Sequence, residues 1–238
     1  MKLDKNKENQ SEKNYNLIKE NIFWKRFKLI MTILLSISII FTILCIWDAR
    51  RPRITDAMKP IIYIYPEEKT EISVELEYPE KITCSYPAYV DGWNVIASPD
   101  GTLIDTDTQR TLYSLYWEGK GFINKTNNEG FVVEGKDTIK FLEEKLEILG
   151  LSEKETEEFI IYWLPKMQKN KYNYIRFATI DEINEYMPLN FSKKPDNLIR
   201  VYMQFKALNR PINVTPQKLE TPSRSGFVIV EWGGTEIH

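Results

Sequence analysis

"KPIIYIYP", residues 59–66, is apolar at almost every position, whereas "EISVELEY", residues 71–78, alternates. In an extended chain, neighbouring side chains point to opposite faces. The second stretch therefore has one dry face (Ile72, Val74, Leu76, Tyr78) and one wet face (Glu71, Ser73, Glu75, Glu77). The first has two dry faces, as a central strand covered on both sides would, and Pro66 ends it because proline cannot donate to a ladder. "YPEK", "VDGW", "SPDG" and "NNEG" separate the short runs that follow. Residues 60–135 are thus expected to form a mainly antiparallel, sandwich- or barrel-like β-rich region of about six strands.

Residues 136–238 read as a mixed helix and strand half, so residues 60–238 form one α+β domain. Asp137 precedes "TIKFLEEKLEIL", where Ile139, Leu142, Leu146 and Leu149 make one stripe and Gly150 the stop. Ser152 and Glu155 have the spacing of a capping box. "FIIYWLP" (159–165) is apolar on all sides and contains Pro165, which predicts a strand paired with "YNYIRFA" (172–178) rather than a helix. "IDEINEYM" is a short helix. "LIRVYMQFKAL" and "GFVIVEW" are late strands, joined by a Pro-rich loop over 209–226. In the first of these, Ile199, Val201, Met203 and Phe205 oppose Arg200, Gln204 and Lys206.

Upstream, "LIMTILLSISIIFTILCIW" (29–47) runs without a charge. As a helix it reaches about 28 Å, close to the hydrocarbon thickness of a bilayer. Trp24 and Trp47 flank it as interfacial anchors do. A polar leader precedes it and "CIWDARRP" offers no small-residue cleavage site, so an uncleaved anchor is expected. The division is a cytoplasmic polar and amphipathic tail (1–28, its first 13 residues disordered), a transmembrane helix (29–47), a linker (48–59) and the domain. Basic residues flank both ends of the span. The short tail and large C-terminal domain favour a single-pass protein of the cell membrane with its N-terminus cytoplasmic and its domain extracytoplasmic.

Residues 1–28 carry eight Lys/Arg against four Asp/Glu, and residues 48–238 carry 24 against 30. An acidic domain argues against nucleic acid as a partner. The one histidine is His238 and the two cysteines, Cys45 and Cys84, form no CxxC pair. Neither an oriented catalytic imidazole nor a zinc site is expected, and no phosphate-binding glycine motif is present. Asp100, Asp105 and Asp107 lack the spacing of a calcium loop. No cofactor or metal is expected.

What remains is polar-aromatic. In "YSLYWEG" (113–119), Tyr113, Leu115 and Trp117 share one side of a strand, and Ser114, Tyr116 and Glu118 the other. "YVDGW" adds Tyr89 and Asp91; the alternative is that Asp91-Gly92 forms a hairpin turn, with Trp93 and Trp117 in the core. Tyr116, Glu118, Tyr89 and Asp91 are the candidate ligand-binding set. Glu118 and Asp91 are the weak candidates for a paired-carboxylate glycan hydrolase. Arg176 faces away from Ile175 and Phe177 and is expected to pair with a carboxylate.

"KPIIYIYPEE", "YPAYVDGW", "YSLYWEG" and "GFVIVEWGG" resemble, in order, phrases of an uncharacterised bacterial family with this domain behind a membrane anchor or variable N-terminal region. The resemblance covers about residues 59–238 and implies one folded unit and no known activity or catalytic residue. The expected function is a membrane-anchored binding or interaction module with a protein or glycan partner at the envelope, more than an enzyme. The alternatives are an envelope glycan hydrolase and a cytoplasm-facing accessory protein.

Overall fold

The structure is a computed structural model that describes residues 2–49, 53–124 and 128–237. The chain divides into two compact units, residues 1–51 and 52–238. His238 and the segments 50–52 and 125–127 lie outside the described residues.

The first unit is one helix, α1 (Lys2–Ala49). No Gly or Pro interrupts residues 2–49, and Lys, Glu and Leu are good helix formers. The leader expected to be disordered is therefore helical from Lys2, continuous with the apolar stretch. Trp24–Trp47 is long and apolar enough to cross a membrane, about 36 Å as a helix, and the unit buries none of it. Its hydroxyls bond back to the preceding turn: Thr32 to the Lys28 carbonyl (2.8 Å), Ser36 to Thr32 (2.9 Å) and Thr42 to Ser38 (2.8 Å). Such back-bonding removes most of the cost of a polar group in an apolar segment.

The second unit is α+β. Its elements run β1 (Arg53–Tyr65), β2 (Thr70–Leu76), β3 (Ile82–Tyr86), β4 (Trp93–Ala97), β5 (Leu103–Asp105), β6 (Thr111–Leu112), β7 (Leu115–Asn124) and β8 (Phe131–Glu134). Then follow α2 (Thr138–Ile148), α3 (Glu153–Met167), β9 (Tyr172–Phe177), α4 (Ile180–Tyr186), β10 (Leu189–Phe191), β11 (Asn197–Leu208) and β12 (Val228–Glu236). β1 begins at Arg53, inside the stretch expected to be linker, where it pairs with β7.

Two sheets result, ordered β3-β7-β1-β12-β11-β9-β8 and β10-β2-β4-β5-β6. β1 is central in the larger sheet, as its two dry faces require. Ile62 and Ile64 enter a core with Ile72, Val74, Trp93 and Leu103 of the smaller sheet, joined by Trp117 and by Ile183 of α4. Ile61 and Tyr63 enter a second core with Leu142 and Leu146 of α2 and Phe159, Trp163 and Met167 of α3. The larger sheet is the middle layer, between helices and a second sheet. Each fully buried aliphatic side chain in these layers contributes about 2 kcal/mol. The strands of the β-rich half are shared between both sheets, and late strands complete the larger one. All described ladders are antiparallel except β11–β12.

"FIIYWLP" is the end of α3, not a strand. The Ser152–Glu155 capping box opens that helix, and Phe159, Trp163 and Met167 recur every four residues on its buried face. Pro165 falls in the last turn, and the carbonyl it cannot pair with belongs to Ile161, a solvent-facing residue.

The polar side of β11 is buried too. Arg200 donates through Nε to Glu231 Oε2 of β12 at 2.7 Å and through Nη1 to Asn184 at 2.7 Å. The Trp117 indole donates to the other oxygen of Glu231 at 3.0 Å. The Arg200 side chain is fully shielded and that of Glu231 nearly so. Arg176 does pair with a carboxylate, Glu182, at 2.8 Å. Arg200→Met would strand the Glu231 charge between the sheets and should lower stability by about 3–5 kcal/mol, with R200M/E231M regaining part of the loss. Urea unfolding of the detergent-solubilised full chain, followed by tryptophan fluorescence, measures both.

Candidate ligand-binding site

The site begins with an irregularity in β1. Pairing with β12 slips between Met58 and Ile61, and pairing with β7 slips between Ala57 and Ile61. Pro60 has no N–H to give a ladder, so it sits in the resulting bulge. Lys59 adopts φ +53, a left-handed backbone rare for a residue with a side chain. Its N–H, displaced from the ladder, donates to Glu118 Oε1 at 3.3 Å. Across the strand, Gly233 makes room: a Cβ there would lie 3.0 Å from Pro60 Cα.

Outside the bulge lies a depression of about 610 Å³, lined by Lys59, Ile61, Tyr86, Thr111, Leu112, Tyr113, Ser114, Tyr116 and Tyr162. Ile61 pairs with Tyr116, and Tyr116 pairs with Tyr86, so these three stand in a row across β1, β7 and β3. Tyr113 is at the crossing from β6 to β7. The pattern expected it in the core beside Leu115 and Trp117, which are buried; Tyr113 stays half exposed because β7 starts only at Leu115. Tyr162 comes from α3. The Lys59 ammonium lies 4.8 Å from the Tyr162 ring centre and 5.9 Å from that of buried Trp232.

Beneath this surface, phenols and carboxylates pair. Tyr63 donates to Glu158 at 2.5 Å and accepts from the Trp232 indole at 3.2 Å. Tyr65 donates to Glu155 at 2.8 Å, a buried carboxylate also held by Arg224 at 2.8 Å. Burial, then the hydrogen bond to and charge of Glu158, push the Tyr63 phenol far up. Burial and Glu155 raise Tyr65, and burial, Glu118 and Cys84 raise Tyr116. These phenols stay protonated near neutral pH, so the site offers hydroxyl groups and ring faces but no phenolate nucleophile.

Of the four residues singled out from the sequence, Tyr116 lines the depression, Glu118 meets it through the Lys59 N–H, and Tyr89 and Asp91 lie elsewhere. Tyr89 packs on the inter-sheet side, 4.8 Å from Trp93, and its hydroxyl accepts from the Leu76 N–H at 2.9 Å. Asp91 is exposed, beside a turn that joins β3 of one sheet to β4 of the other, so Asp91-Gly92 is no hairpin. Gly92 lies against Glu75 and Val74 of β2. Glu118 and Tyr116 face away from that side, since Ser85 and Trp117 pair on it while Tyr86 and Tyr116 pair on the other. Asp105 serves its own loop, accepting from Thr108 Oγ1 and from the Asp107 N–H (3.3 Å), and Asp100 accepts from the Thr102 N–H (2.9 Å). Among the described residues, no three potential metal ligands gather.

Sequence reasoning missed Lys59, Tyr86 and Tyr162. A lysine-proline pair inside a strand signals a bulge, which was the clue to Lys59. Tyr162 was hidden by the strand assignment of α3.

No family model matches the chain, and no solved structure does. The chain is 42% identical over 67 residues to an uncharacterised protein from the bglA 3′ region of Butyrivibrio fibrisolvens, a match covering 27% of this chain and 68% of that protein. The chain belongs to the same family as that protein.

Tyr63→Phe removes the donor to Glu158 and the acceptor of Trp232 together. It should cost about 1–3 kcal/mol, read as a lower urea midpoint. The raised phenols give a second expectation. Folded, they hold their protons more tightly than at the ordinary value of 10.0. Their stabilisation is therefore whole below pH 10 and declines as pH rises past it. Thermal midpoints should fall above pH 10, and less steeply in Y63F.

Proposed function

We propose that this chain is a single-pass membrane protein whose C-terminal domain works outside the cytoplasm as a binding module at the cell envelope, with the tyrosine-lined depression as its binding surface. The observation that carries the reading is the bulge of β1, which places Lys59 and Glu118 at one margin of a depression walled by Tyr86, Tyr113, Tyr116 and Tyr162. The strained Lys59 backbone is retained where it shapes that margin, the usual company of such strain. Protonated phenols and ring faces suit recognition more than catalysis. The apolar helix of the first unit supplies the anchor, flanked by Trp24 and Trp47.

As part of the same proposal, the chain belongs among the uncharacterised bacterial proteins whose phrases it resembles. Three of those phrases deliver the site: "KPIIYIYPEE" gives Lys59, "YPAYVDGW" opens with Tyr86, and "YSLYWEG" gives Tyr113, Tyr116 and Glu118. The hydrolase alternative draws no support from its pair: Glu118 is on β7 at the Lys59 N–H, whereas Asp91 is in the exposed turn leading to β4 of the smaller sheet.

Membrane fractions of expressing cells should retain the full chain through an alkaline carbonate wash. Protease added to intact spheroplasts should remove the domain. Protection there, with digestion in inverted vesicles, would put the domain on the cytoplasmic side.

A further inference from the structure

We infer that the tyrosine-lined depression binds neutral pyranose units of a surface polysaccharide. This rests on the reading of the depression as a binding site and adds the class of ligand. Three properties of the walls exclude the other classes in turn.

A cationic ligand would seek the tyrosine faces. Two of those faces already carry the protein's own ammonium groups. Lys154 lies 4.5 Å from the centre of Tyr113, and Lys59 and Lys166 lie 4.8 and 5.0 Å from that of Tyr162. A second cation would meet three positive charges. An anion fares no better. The three ammonium groups are offset by Glu118, which holds the Lys59 N–H, and by Glu158, close enough to raise Tyr113 after burial, and only Lys59 of the three lines the depression itself. Phosphate and sulfate recognition needs several converging donors with a net positive field.

A wholly apolar ligand would strip water from the hydroxyls of Thr111 and Ser114 and from the phenols without replacing their hydrogen bonds, which is costly. A neutral pyranose satisfies all these surfaces. Its C–H faces rest on tyrosine rings, its hydroxyls exchange hydrogen bonds with the phenols and with Thr111 and Ser114, and no charge is buried. The volume of about 610 Å³ is that of a small-molecule site, and its walls are open at the surface, as an internal stretch of a long chain requires. The half-exposed rings of Tyr86 and Tyr113 stand ready as platforms.

The test uses the full chain in a detergent without a sugar headgroup, titrated calorimetrically with soluble neutral tetrasaccharides and with acidic and basic peptides. Neutral tetrasaccharides should bind. Tyr86→Ala and Tyr162→Ala, whose rings are not part of the sealed core, should weaken binding at least tenfold while leaving the thermal midpoint within a few degrees. Retention on insoluble wall polysaccharide, lost in the same variants, places the ligand in the polymer; binding to free oligosaccharide alone overturns that assignment. Peptide binding that Y162A abolishes would overturn the sugar class and keep the site. Failure of every probe, or sugar binding indifferent to both variants, would overturn the site as well.

Discussion

A strand with two dry faces cannot lie on the surface of anything, and β1 imposes that constraint on the rest of the domain. From Ile61 onward its odd-numbered side chains must be covered by one layer and its even-numbered ones by another. The helices α2 and α3 meet the first requirement and the smaller sheet meets the second. At Pro60 the strand cannot continue its hydrogen bonding, so it bulges, and the bulge is tolerated because Gly233 leaves space opposite. The same break that interrupts the ladder frees Lys59 and Glu118 to shape a surface. Packing and site are consequences of one eight-residue phrase.

Polar groups sit on both sides of the middle layer, and they serve different ends. Between the sheets, buried Arg200 and Glu231 and the Trp117 indole bond one another, and Asn184 at the exposed edge accepts from Arg200. Such a network adds little net energy over a well-packed apolar one, but misregistering β11 against β12 would leave its charges unpaired. Toward the helices, the Tyr63–Glu158 and Tyr65–Glu155 pairs tie β1 to α3. They fix the helix that contributes Tyr162, so the wall of the depression is positioned by bonds beneath it.

The alternating stretches were legible because one face of each is wet: β2 and the buried face of β11 follow directly from their side-chain order. The two-faced β1 was legible for the opposite reason. α3 was not, because "FIIYWLP" is apolar all round and contains a proline, and period alone cannot separate a buried helix from a buried strand in so short a run. The acidic turn before it and the four-residue recurrence of Phe159, Trp163 and Met167 carried the helical signal. In the site, Tyr116 and Glu118 could be read from one strand. Tyr89 and Asp91 looked equivalent in sequence, but the chain crosses between sheets just after Tyr86, a tertiary event with no local signature. Tyr162 and Tyr86 are brought to the depression only by tertiary packing.

β12 occupies the gap between β1 and β11, so the segment furthest along the chain stands beside the first strand of the domain. Before residues 228–236 are available, β1 presents one unpaired edge and β11 another, and the middle layer is two separate pieces. The closure is long in sequence, joining positions about 170 residues apart. During synthesis the middle layer therefore stays in two pieces until residues 228–236 have left the ribosome, so the domain's longest sheet is assembled last.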